Sequence, residues 1–125
     1  MNDQHGKFSV EAYGDTVRYE LIGAFNEKAA AECTEAIKHH INSLYTQRFK
    51  LLNFQNKFEG STPGAYRIAN ELNEWLNGQD MIPKAIVSHS SVIAQIDQLY
   101  VPSKKRQNIQ YFTDEKDAIQ WLESQ

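Results

Sequence analysis

The stretch Phe49-Lys-Leu-Leu-Asn-Phe-Gln-Asn-Lys-Phe-Glu-Gly-Ser-Thr-Pro-Gly64 constrains the fold most. A run dominated by large apolar residues, Phe49 to Phe54, leads into a Gly/Ser/Thr/Pro turn. From Ala65 onward the apolar residues take helical spacing. A strand that feeds a helix through such a turn is the basic joint of an α/β fold. In open α/β sheets, ligands gather at the carboxyl ends of the strands, where these loops sit. The joint is therefore the first place to look for a site, although its residues name no reaction.

The flanking sequence extends the same pattern. Met1 to Lys7 reads as a flexible tail. Phe8–Tyr13 and Thr16–Ile22 both alternate, and Gly14-Asp15 lies between them, which predicts a hairpin. Asn26 can cap a helix from about Glu27 to Tyr45, with Ala29, Cys33, Ala36, Ile37, Ile41 and Leu44 on one stripe. After the strand Phe49–Gln55, a second helix spans Pro63 to Asn77, and Gly78 is placed to stop it. Lys84–Ser88 reads as a short buried strand. Ser90 or Ser91 can cap a third helix, which Pro102 ends. Asn108–Phe112 is a last strand, and Thr113 or Asp114 caps a last helix burying Ala118, Trp121 and Leu122.

The order is ββαβαβαβα. Helices between strands imply parallel pairing with right-handed crossovers. The expected fold is thus a single α/β domain over residues 1–125. It has a mixed, mainly parallel sheet of about five strands, an N-terminal β-hairpin at one edge, and about four helices.

The chain has 125 residues, a net charge of −3 and a pI near 5.8. That balance argues against a nucleic-acid partner, whose binders concentrate basic charge on one face. Cys33 is the sole cysteine, so no internal disulfide forms, and a reducing cytoplasm is the expected compartment. No window reaches the roughly 18 apolar residues of a membrane span.

Several residues are candidates for a site. Ser61 and Thr62 stand at a helix N-terminus, where free N–H groups and the dipole stabilise a phosphate. The same residues also read as an ordinary cap, with Pro63 in the first turn and Gly60 and Gly64 shaping the turn. His89, between Ser88 and Ser90, lies at the next strand end. Lacking a nucleophile elbow or an evident acidic partner, it reads as a loop residue, and an enzyme built on Ser61, Thr62 or His89 ranks last. Trp75, Val92, Ile96, Leu99 and Tyr100 could line an apolar groove beside the third helix, or simply pack in the core. Lys104, Lys105 and Arg106 form a basic loop that could hold an anionic group, with Asp97 near enough to offset it. No metal or cofactor is expected. His39 and His40 are adjacent and point apart, H-E-x-x-H and C-x-x-C are absent, and neither a dinucleotide fingerprint nor a P-loop is present.

Three segments resemble the SpoIIAA-like group of the STAS superfamily, some of whose members are described as STAS/Sec14-like. They are Leu51–Asn56 with Gly60–Gly64, Glu74–Gly78 followed by Ile82–Val87, and the ending Tyr111–Leu122. The resemblance covers about Phe8 to Leu122. It implies a phosphorylatable hydroxyl at Ser61 or Thr62, although Gly60 stands where that group carries an aspartate and Pro63 interrupts its run of small residues. The Sec14-like side of the comparison implies an apolar ligand between helices and sheet. The expected function is a non-enzymatic regulatory or binding module that engages a protein, or a second copy of itself, through the strand-end loops. The alternative is a carrier or sensor of a small apolar or lipid-like ligand beside the third helix.

Overall fold

The computed structural model describes residues 5–125, apart from the side chain of Ile82. Five strands form one sheet in sequence order: β1 (Lys7–Tyr13), β2 (Thr16–Phe25), β3 (Phe49–Ser61), β4 (Met81–Val87) and β5 (Ile109–Phe112). β1 pairs antiparallel with β2, and Gly14, at φ +57°, turns the chain between them. The other three pairings are parallel. The helices are α1 (Glu27–Asn42), α2 (Pro63–Asn77), α3 (Ser91–Tyr100) and α4 (Glu115–Glu123).

The topology decides which face each helix covers. Parallel strands laid down in one direction by right-handed crossovers place every connecting helix on the same face. α1 and α2 accordingly share a core with β2 and β3 around Val17, Ile37, Phe49, Leu51 and Leu76. α3 crosses on that side too, touching α2. α4 follows the last strand and packs on the opposite face, where Ala118 and Leu122 meet Leu52, Phe54, Ala85 and Val87. This is the mixed, mainly parallel α/β domain expected from the sequence.

Several boundaries differ from the sequence reading, each for a local reason. The tail expected over residues 1–7 does not extend through His5–Lys7. The His5 carbonyl accepts from the Asn26 N–H, and Lys7 pairs with Ile22; residues 1–4 lie outside the described residues. α1 stops at Asn42, where the Ser43 hydroxyl donates to the His39 carbonyl at 2.8 Å, and Tyr45 beyond it is fully exposed. β3 runs on to Ser61 because β2 continues beside it to Phe25. β4 starts at Met81 and absorbs Pro83 at a register shift, where a missing N–H breaks no ladder. The basic residues expected in a loop lie in a short 3-10 helix, Pro102–Arg106.

Candidate functional site

The joint between β3 and α2 is organised by Gly60 and Thr62. Gly60 sits at φ +108°, a conformation that side-chain-bearing residues avoid. The turn lets Thr62 cap α2, its hydroxyl oxygen accepting from the Ala65 N–H at 3.1 Å. The same hydroxyl donates to the carboxylate of Glu27, in the first turn of α1. A Cβ on Gly64 would meet that carboxylate 2.5 Å away, so glycine is required for the approach. The Thr62 hydroxyl, helped by N–H groups of Glu27 itself and of Ala65, holds the Glu27 carboxyl below its ordinary value.

The helix N-terminus that suits a phosphate thus already faces an anion from its own chain. Ser61, beside it, pairs with Phe25 at the end of β2 and lines a cavity under α2. Glu27 was not visible as a partner in the sequence, because 35 positions separate it from Thr62.

His89 is exposed at the end of β4. It shares a surface recess with Ser88, Ser90 and Ser91, but those serines serve the loop and the α3 cap. The Ser88 oxygen takes the Ser90 N–H at 3.3 Å, and the Ser90 hydroxyl caps Ile93 at 3.1 Å. Thr62 reaches Glu27 rather than His89. β3 also continues beyond its last β4 pairing, Phe54 with Val87, so the two loops leave the sheet at different levels.

The groove candidates divide. Trp75 packs against the α1–α2 core, with the Lys38 ammonium 5.3 Å from its ring centre. Val92, Leu99 and Tyr100 are exposed by 62%, 73% and 53%, while Ile96 is half-buried. None of the five lines the cavity beneath α2. α3 is inverted relative to an ordinary packed helix, since its one fully buried residue is Asp97. That carboxylate forms an ion pair with Lys104, and both side chains are 7% exposed. Lys104 therefore leaves the expected basic patch, whereas Lys105 and Arg106 stay exposed. Among the described residues, no group of three or more His, Cys, Asp or Glu is arranged to hold a metal ion.

Tyr66 links the joint to α3. Its hydroxyl takes the Ser61 backbone N–H, and its ring stacks on Tyr100 at 5.1 Å with 19° between planes. The β3–α2 turn and the exposed side of α3 are thereby continuous.

No family model matches the chain, and no curated protein does. Solved structures do. An uncharacterized DUF3478-family protein from Shewanella loihica PV-4 with a SpoIIAA-like fold superposes with a TM-score of 0.69. The two are 16% identical, over 98% of this chain and 97% of that one. The anti-sigma factor antagonist SpoIIAA, in its unphosphorylated form, superposes with a TM-score of 0.67 at 13% identity, over 95% of this chain and 98% of that one. The fold is SpoIIAA-like. Within this SpoIIAA-like frame the β3–α2 turn carries Gly60, Thr62 and the Glu27 contact. Among the described residues no helix is long and apolar enough to cross a membrane.

Proposed function

We propose that the protein is a non-enzymatic binding module that engages a protein partner. The contact surface comprises the β3–α2 turn, the Tyr66–Tyr100 stack and the outward side of α3. One observation carries this reading. α3 turns Asp97 inward and leaves Val92, Leu99 and Tyr100 in solvent, and the Tyr66–Tyr100 stack joins it to a turn in which Thr62 hydrogen-bonds to Glu27. Exposed apolar side chains grouped beside a preorganised loop are the usual mark of a protein contact. The likeness to SpoIIAA, an anti-sigma factor antagonist, is in keeping with a regulatory role.

The Glu27 contact changes how such a role would be regulated. A phosphate on Thr62 would displace or repel the carboxylate already there, so Ser61 is the hydroxyl left for modification. The carrier reading beside α3 gains no support, because Val92, Leu99 and Tyr100 are exposed and none of its five residues lines the cavity beneath α2.

Leu99→Glu and Val92→Glu test the proposal. Both sites are exposed, so stability should change by no more than about 0.5 kcal/mol. Cross-linking in the protein's own cells, followed by purification, should recover a complex with the unaltered chain and lose it with either variant. If the partner is a second copy, sedimentation will show a dimer that both variants abolish. Recovery of the same complex with both variants would overturn the proposal.

A further inference from the structure

Beneath that surface lies a cavity between α1, α2 and the sheet, which reaches the turn and the stack through Ser61 and Tyr66. It measures about 70 Å³ and is walled mainly by apolar side chains, among them Leu21, Phe25, Ile37, Phe58 and Leu72. β3 brings two carboxamides into the wall, Asn53 and Gln55. Being two residues apart, they share the helix-covered side of the strand, with Cα atoms about 6–7 Å apart. Asn53 is 2% exposed and Gln55 is 3% exposed. Neither the Asn53 Oδ1 nor the Gln55 Oε1 has a hydrogen-bond partner.

Buried carbonyl oxygens without donors are destabilising, and a strand carrying two of them into one cavity is unusual. The backbone is also irregular at this point. β3 fits Gln55 and Asn56 between the partners of Glu20 and Ile22, where regular pairing leaves room for one residue. Such bulges re-aim side chains and recur next to binding sites. The charged groups in the lining are Asp97 and Lys104, which neutralise each other. The cavity therefore suits a neutral occupant that donates hydrogen bonds. On this scale one water needs about 10–15 Å³ and benzene about 150 Å³, so there is room for about three or four heavy atoms.

We infer that the cavity binds a small neutral molecule with two donor hydrogens, a primary amide or short diol, which meet Asn53 Oδ1 and Gln55 Oε1. Its carbon atoms rest on the apolar wall. Cys33 also lines the space, and burial pushes its thiol up to about 12, so it packs against the occupant instead of reacting with it.

Acetamide and acetone are matched in size and shape, and only acetamide donates. In a titration followed by backbone amide NMR, acetamide should shift the resonances of Asn53, Gln55 and Cys33. Acetone should bind at least about tenfold more weakly, the equivalent of one hydrogen bond. Asn53→Leu with Gln55→Met should erase that preference. Gln55→Met alone, which keeps the side-chain length, tests the same point if the double variant does not fold. Equal binding of the two probes would overturn the inference. So would xenon entering where acetamide does not, which would mark a dry apolar void. Ordered water that acetamide cannot displace would overturn it as well.

Discussion

The two faces of the sheet are made from alternate residues of the same strands, yet they differ in kind. Under α4, β3 and β4 present Leu52, Phe54, Ala85 and Val87, which form an apolar cluster with Ala118 and Leu122. Under α1 to α3 the same strands present Leu51, Asn53 and Gln55, then Lys84 and Ile86. Lys84 is wholly buried and donates to Asn73 Oδ1 at 2.6 Å, and Gln107 donates to the same oxygen at 3.0 Å. Apolar burial explains the cluster on the first face. The second buries amides, an amine and an ion pair that an apolar core would do without. Polar groups kept inside at a cost to stability are the ones to test for function.

The sharpest way to break this contrast uses neighbouring residues of β3. Phe54 is 5% exposed, and the Arg18 guanidinium lies 4.2 Å from its ring centre. Phe54→Ala should cost about 3–5 kcal/mol, the usual range for a large core ring. Asn53→Leu, one residue away on the other face, removes an unpartnered acceptor and keeps the branched shape of the side chain. It should raise the stability of the ligand-free protein by about 1 kcal/mol. Urea unfolding of both variants decides the matter. If Asn53→Leu is as damaging as Phe54→Ala, the two faces do not differ as described.

The pH dependence of stability comes next in size. Burial, with the charge of Lys104 adding to it and Asp97 opposing, holds the Lys84 amine well below its ordinary 10.5. Between its folded and unfolded values the unfolded chain binds a proton that the folded chain does not. Stability therefore rises with pH across that window, by at most about 1.4 kcal/mol per unit. Cys33 acts in the opposite sense. Its thiol ordinarily ionises near 9.0 and is pushed up to about 12, so it lowers stability as the solution passes pH 9. Urea midpoints followed upward from neutral pH to about pH 9 should climb for the unaltered protein and flatten for Lys84→Met. Parallel curves would mean that Lys84 stays charged inside.

Much of this architecture was legible in the sequence, because hairpin turns, helix stripes and caps are set by neighbours. Asn26, Thr62, Ser90 and Asp114 all cap the helices they precede. The polar face was not legible. Alternation assigns Asn53 and Gln55 to the side opposite Leu52 and Phe54, but it cannot say that three helices cover that side. Lys104 reads as one of three basic residues in a solvated turn. A sequence signal did exist, in Asp97, the one charged residue between Val92 and Tyr100. Asp97 is what draws Lys104 inside. The Glu27–Thr62 contact depends on two distant turns arriving together, so no local pattern announces it.

The smallest expected effect compares caps on the two faces. Asp114 caps α4 by accepting from the Lys116 N–H at 3.1 Å. Thr62 caps α2 and also donates to Glu27 of α1. Removing a cap costs about 1 kcal/mol, so Asp114→Ala sets the reference. Thr62→Ala should cost more, since it also unties α1 from α2 and leaves the Glu27 carboxylate without its main donor. Thr62→Ser keeps the hydroxyl and should stay close to the unaltered protein. Equal losses for Thr62→Ala and Asp114→Ala would reduce the Glu27 contact to a surface pairing with no energetic weight. A larger loss for Thr62→Ala, restored by serine, would make the carboxylate part of what holds the β3–α2 turn in place.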